Sequence, residues 1–186
     1  GLAVGNDQTF TTLCPSLTFL TQPSNHLITY GTAASFSVDA TNALTYQWQE
    51  DNGSGFTNIT DGGIYSNSNT SELNISLPTV EMSGYKYRCV ITGSCIPEAI
   101  SDGNATLFVS AKSIVITANA GQFKLYGDSD PANFVYSYAP ALEGSDMLTG
   151  ELARVIGEDA GNYSFTLGSL VASSNYSLSI SSSTTF

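Results

Sequence analysis

Charge is what this chain has least of. Only 11% of its 186 residues are Asp, Glu, Lys or Arg, and sixteen acids face five bases for a net charge of -11. Lys86, Arg88, Lys112, Lys124 and Arg154 are the whole cationic complement, too few and too scattered to form the basic patch that a phosphate backbone or an anionic lipid surface requires. Nucleic acid and membrane are disfavoured as partners. His26 is the sole histidine, so a Ser-His-Asp or Cys-His machine, or a His/Cys metal centre, has to be built on it. It stands in Ser24-Asn25-His26 after Pro23 and reads as an exposed loop residue. No apolar run approaches the roughly 18 residues of a membrane-spanning helix. The first residues also lack a charged segment followed by an apolar one, so the chain reads as a mature or excised fragment.

What replaces charge is Ser, Thr, Asn and Gly, alongside a 41% hydrophobic content that can supply real cores. The length suits two small domains. An acidic, hydroxyl-rich surface suits calcium or carbohydrate, and it is equally what solubility alone selects.

Period-two apolar sets mark half-buried strands from Leu17 onward. They are Leu17 and Phe19; Ala34, Phe36, Val38 and Ala40; Leu44, Tyr46 and Trp48; Leu73, Ile75 and Leu77; Tyr85, Tyr87, Cys89 and Ile91; and Ala105 with Leu107, or Thr106 with Phe108. Gly53-Ser54-Gly55 and Asp61-Gly62-Gly63 supply turns around a short strand at Phe56 and Ile59. These are about seven strands in one domain. Trp48 and Cys89, with Tyr87 two residues earlier, match the large aromatic, the F-strand cysteine position and the corner tyrosine of an immunoglobulin-like sandwich. Phe36 or Val38 takes the B-strand position where a partner cysteine would stand, so apolar packing replaces that bridge. The expected core is Trp48, Tyr87 and Cys89.

Three cysteines allow one intrachain bridge. Cys89 with Cys95 is favoured, because they are close in sequence at a strand end. The rival is Cys14 with Cys95, since the chain joins such a sandwich at the end carrying the F–G loop. Three reduced thiols, with Cys89 a small core hydrophobe, is the remaining reading.

Beyond Ser110 the strands shorten and glycine and acidic turns punctuate them: Ile114 to Ile116, Phe134 to Tyr138, Met147 to Leu152, Tyr163 to Leu167 and Tyr176 to Ile180. Tyr163, Phe165 and Leu167 are the expected core there. The organisation read from the chain is a lead-in or linker over 1–15, an immunoglobulin-like domain over 16–110 and a second small β domain over 111–186, all-β throughout.

Two resemblances attach to these residues. Gln22-Pro23-Ser24, Tyr46-Gln47-Trp48-Gln49, Gly84 through Val90 and Thr92-Gly93-Ser94-Cys95 resemble immunoglobulin-like repeats of large secreted Bacteroidetes proteins. Tyr126-Gly127-Asp128-Ser129-Asp130-Pro131, Leu148-Thr149-Gly150, Gly157 through Tyr163 and Ser174-Asn175-Tyr176 resemble the MBG ("mostly β, glycine-rich") repeats of bacterial surface adhesins. The resemblances imply a non-catalytic segment of a long cell-surface or secreted polypeptide, commonly exported by the type IX system. Its partners would be neighbouring repeats, surface glycans or other cell-surface proteins.

Candidate chemistry is sparse, and no catalytic residue or cofactor is expected. Asp128 and Asp130, with Asp146 or Glu143, offer calcium hard oxygen ligands, although two acids in a turn more often bond nearby amides; Glu158 and Asp159 read the same way. A glycosidase needs paired carboxylates across a cleft, which these turns do not suggest. Tyr30, Tyr65, Tyr136, Tyr138 and Tyr176 would form a sugar platform if they shared an exposed face, against the usual burial of strand aromatics. Asn-X-Ser/Thr triplets, among them those at Asn58, Asn69, Asn74, Asn104, Asn162 and Asn175, follow from composition. Two other functions fit the same residues: accessory, carbohydrate-binding modules of a secreted enzyme, and a filament subunit whose residues 1–14 add as a strand to a neighbour.

Overall fold

The computed structural model of the protein describes residues 14–186. Most of the expected lead-in, and with it the strand-exchanging arm, lies outside the described residues. Sixteen strands are found among the described residues: β1 (Thr18–Thr21), β2 (His26–Thr29), β3 (Ala34–Ser37), β4 (Asp39–Thr41), β5 (Thr45–Asp51), β6 (Phe56–Asn58), β7 (Tyr65–Ser66), β8 (Glu72–Ile75), β9 (Lys86–Thr92), β10 (Ala99–Ile100), β11 (Ala105–Ser110), β12 (Lys112–Ala118), β13 (Tyr136–Ala139), β14 (Ala153–Arg154), β15 (Phe165–Thr166) and β16 (Tyr176–Ile180). The described residues divide into two compact units, one of 14–25, Ser35–Asn74 and Lys86–Thr106, the other of His26–Ala34, Ile75–Tyr85 and Leu107–Phe186.

In the first unit β5 and β9 run antiparallel through seven paired residues, from Thr45↔Thr92 to Asp51↔Lys86. β6 extends the sheet beyond β5, and β10 and the start of β11 pair with β9. Alternation sends Tyr87, Cys89 and Ile91 of β9 inward, beside Trp48 of β5, whose register partner is Cys89. β3, β8 and β7 make a separate sheet. From it Phe36 stacks on Tyr87 at 4.5 Å between centroids and lies 6.5 Å from Trp48. The Trp48 indole N–H donates to the Thr70 carbonyl at 2.9 Å. Two sheets thus close on one aromatic core, an immunoglobulin-like sandwich, with Phe36 filling the place of the missing B-strand cysteine.

Three expectations for these strands are corrected. Leu44 is exposed, because β5 begins one residue later. Tyr87 does not pin a corner through the backbone: its hydroxyl donates to the Glu50 carboxylate at 3.2 Å, where the Tyr65 hydroxyl also donates. Desolvation raises the Tyr87 pKa, and the Tyr65 hydroxyl and Glu50 raise it further. His26 belongs to no loop; it opens β2, half-buried and paired with Leu107.

In the second unit β12 is central. β13 flanks it antiparallel and β16 parallel, in register from Lys112↔Tyr176 to Ile116↔Ile180. Ile114, Ile116 and Ala118 of β12 are buried together with Leu152, Phe165 and Leu170. The expected core is met at Phe165 alone, since Tyr163 and Leu167 are half-buried. Phe165 sits edge-on to Phe134 and Phe186 instead. Met147 to Leu152 forms no strand; only Thr149 bridges, to Val171. Gly150 explains the break: at φ +85° it lets the Ser169 carbonyl oxygen pass 2.1 Å from where a Cβ would stand.

Candidate functional site

The disulfide joins Cys14 to Cys95, with sulfurs 2.04 Å and Cα atoms 5.9 Å apart. The favoured Cys89–Cys95 pairing is therefore corrected. Cys89 points into the sandwich from the middle of β9, whereas Cys95 lies in the loop beyond the strand, where Cys14 reaches it. Burial pushes the free Cys89 thiol up to about 11, which suits a packing residue and not a nucleophile.

The calcium candidates separate. Asp130 receives Arg154 Nε and Nη2 on its two oxygens at 2.9 and 2.7 Å, and the Lys124 ammonium lies 3.4 Å away. The Arg154 guanidinium beside it holds the Asp130 carboxyl below the ordinary value. Lys124 also takes the Asp128 backbone carbonyl at 3.1 Å and the Glu158 carboxylate at 2.6 Å. Glu143 and Asp146, offered as further ligands, stand elsewhere: Glu143 pairs with Lys112, and Asp146 accepts both the Tyr30 and Tyr176 hydroxyls at 2.9 and 2.7 Å. Among the described residues no three His, Cys, Asp or Glu side chains gather as a metal site.

The tyrosines do not share a platform. Tyr30 and Tyr176 are buried edge-to-face at 5.3 Å, Tyr65 and Tyr136 are half-buried, and Tyr138 is the exposed one of the five. Burial raises the Tyr176 phenol to about 12. The Asn175 side chain is engaged as well, accepting the Val80 amide at 2.9 Å.

Sequence reasoning counted Arg154 only as a cation. Its side chain is in fact buried, and it anchors a loop: Nη1 donates to the Val155 and Gly157 carbonyls at 3.0 and 2.9 Å. The guanidinium lies 4.9 Å from the centroids of both the Tyr163 and Phe186 rings. A lone arginine four residues before Glu158 was the available signal.

Residues 114–186 match the profile of the MBG domain (YGX type) family, and Tyr126-Gly127-Asp128 lies within that stretch. Solved structures similar to part of the chain include titin domain M7 (24% identity, 51% of this chain and 94% of that one, TM-score 0.41). Titin M4 (22%, 53% and 100%, 0.43) and Sidekick-1 immunoglobulin domains 1-5 (13%, 50% and 20%, 0.40) are others. No curated protein matches the chain. The immunoglobulin-like assignment itself stands on the Trp48, Cys89 and Phe36 packing. A stretch matching the MBG family together with an immunoglobulin-like sandwich fits a non-catalytic repeat module.

Proposed function

We propose that the chain is a structural and adhesive segment of a large secreted bacterial cell-surface protein, a spacer that displays a binding region. Its contacts would be neighbouring repeats, surface glycans or other surface proteins. The observation that carries this reading is the MBG match over residues 114–186, because the notable property of such repeats is occurrence in tandem within adhesins. The Cys14–Cys95 bridge adds support for an oxidising compartment outside the cytosol.

The experiment is protease shaving of intact source cells, followed by immunoblotting with an antibody raised to this chain. Loss of the signal from unbroken cells, or its recovery from the medium, is the expected result. A signal protected until lysis and found with cytosolic markers overturns the proposal.

A further inference from the structure

Phe123, Leu125 and Tyr126 are 71%, 66% and 84% exposed, yet all three line one cavity of about 230 Å³, whose wall also carries Glu158 and Asp159. Three large apolar side chains left in water at one place mark a contact surface. The floor beneath them is built before any ligand arrives. Arg154 ties the loop through the Val155 and Gly157 carbonyls while forked on Asp130. The Tyr163 hydroxyl donates to the Asp159 carbonyl at 2.7 Å. Its ring comes within 2.1 Å of where a Gly157 Cβ would stand, so only glycine lets loop and ring meet. Such preorganisation lowers the cost of binding.

Charge selects the ligand. The wall holds two cations, Lys124 and Arg154, and two acids, Glu158 and Asp159. The cations are already engaged, Lys124 at 2.6 Å from Glu158 and Arg154 at 2.7 Å from Asp130. With both cations engaged, an entering anion meets the exposed Asp159 carboxylate and an entering cation meets the Lys124 ammonium and the Arg154 guanidinium, so a neutral hydroxyl donor is the better match. A neutral molecule with an apolar face for Phe123 and Tyr126, and hydroxyl donors for the exposed Asp159 carboxylate and for the acceptor positions that Lys124 leaves on Glu158, suits these groups. A pyranose ring offers both on one frame. The cavity is smaller than the roughly 300 Å³ lower bound of drug-sized sites, which suits a single ring. We propose that this cavity binds a neutral pyranose sugar, with Phe123 and Tyr126 as the stacking surface. The assignment stands apart from the display role.

Saturation-transfer NMR on the full chain tests it, using the methyl glycosides of glucose, galactose, mannose and N-acetylglucosamine, with glucuronic acid and glucosamine as charged counterparts. Transfer to the ring protons of at least one neutral glycoside is expected. Tyr126→Ala should weaken that binding on the order of tenfold, Phe123→Ser should weaken it too, and the charged sugars should bind less well. The assignment fails if none of the four glycosides receives saturation, if both variants bind like the parent, or if a charged sugar binds best. It also fails if Phe123 and Tyr126 instead hold two copies of the chain together in sedimentation. Both side chains are exposed, so the variants should melt like the parent. If one does not, amide shifts of the parent on titration decide: shifts confined to residues 123–126 and 154–163 support the site, and shifts elsewhere sink it. A cytosolic location of the protein would leave this result untouched.

Discussion

Replacing Trp48 separates packing from hydrogen bonding in the sandwich core. The side chain is fully buried, and truncating a buried tryptophan to alanine costs about 3–5 kcal/mol. Removing its indole also strips the Thr70 carbonyl of a donor now 2.9 Å away, and because Thr70 is exposed that loss is worth about 0.5–1.5 kcal/mol. Trp48→Phe keeps a ring against Phe36 and loses mainly the donor and part of the volume, so about 1–3 kcal/mol is expected. Small domains have only about 5–15 kcal/mol in total. The alanine variant should therefore sit near the edge of unfolding and the phenylalanine variant should not. Urea titration followed by far-UV circular dichroism is the assay, because Trp48 is the only tryptophan and its removal abolishes the fluorescence probe. With a slope of about 2 kcal/mol per molar urea, a 4 kcal/mol loss moves the midpoint down by about 2 M at unchanged slope. An alanine midpoint equal to the parent's, or a phenylalanine variant as damaged as the alanine one, refutes the account of this core.

Ellman's reagent should find no reactive thiol in the folded protein and one in urea, since Cys89 is buried with its pKa near 11 and the other two cysteines are bonded; a native count of one contradicts this. Cys14→Ser with Cys95→Ser opens a loop of sequence separation 81. The chain-entropy relation gives that closure about 4.5 kcal/mol, with about 2–4 typical of measurement, so a double variant melting with the parent would refute the stabilising role. Acid should destabilise the protein in a defined window. The Gly53 and Gly55 amides hold Asp51 below the ordinary carboxylate value, and the Ser68 hydroxyl and amide hold Asp61 there. Folded groups with depressed pKa values bind fewer protons than unfolded ones, so their contribution is complete above the unfolded value and lost as pH falls through the folded one. Urea midpoints should drop between about pH 5 and pH 3, and Asp51→Asn with Asp61→Asn should flatten that drop; an equally steep drop in the double variant counts against it.

The sandwich was legible because strand alternation is local: each of Phe36, Trp48, Tyr87 and Cys89 is placed inward by its immediate neighbours. The pairing of Cys95 was not, because nearness in sequence misled. Cys89 and Cys95 are six positions apart, but one belongs to an inward face and the other to a loop, and only the path of the chain brings Cys14 close. In the second half, glycine interrupts alternation. Met147 to Leu152 has the apolar content of a strand, yet the close approach of Ser169 at Gly150 turns it into an irregular segment. The cavity beside Arg154 was hidden for a further reason. Its ion pairs link positions 124, 130, 154 and 158, and no local pattern announces contacts at that range.

The cystine also decides what yields when the molecule is pulled. Tension applied through the residues ahead of Cys14 passes across the sulfurs to Cys95 without loading the intervening peptide. That peptide of sequence separation 81 represents about 280 Å of contour length at roughly 3.4 Å per residue, all withheld while the bond is intact. Reduction would put that peptide in the line of force, so that unfolding of the sandwich would then convert a short, stiff tether into a long compliant one.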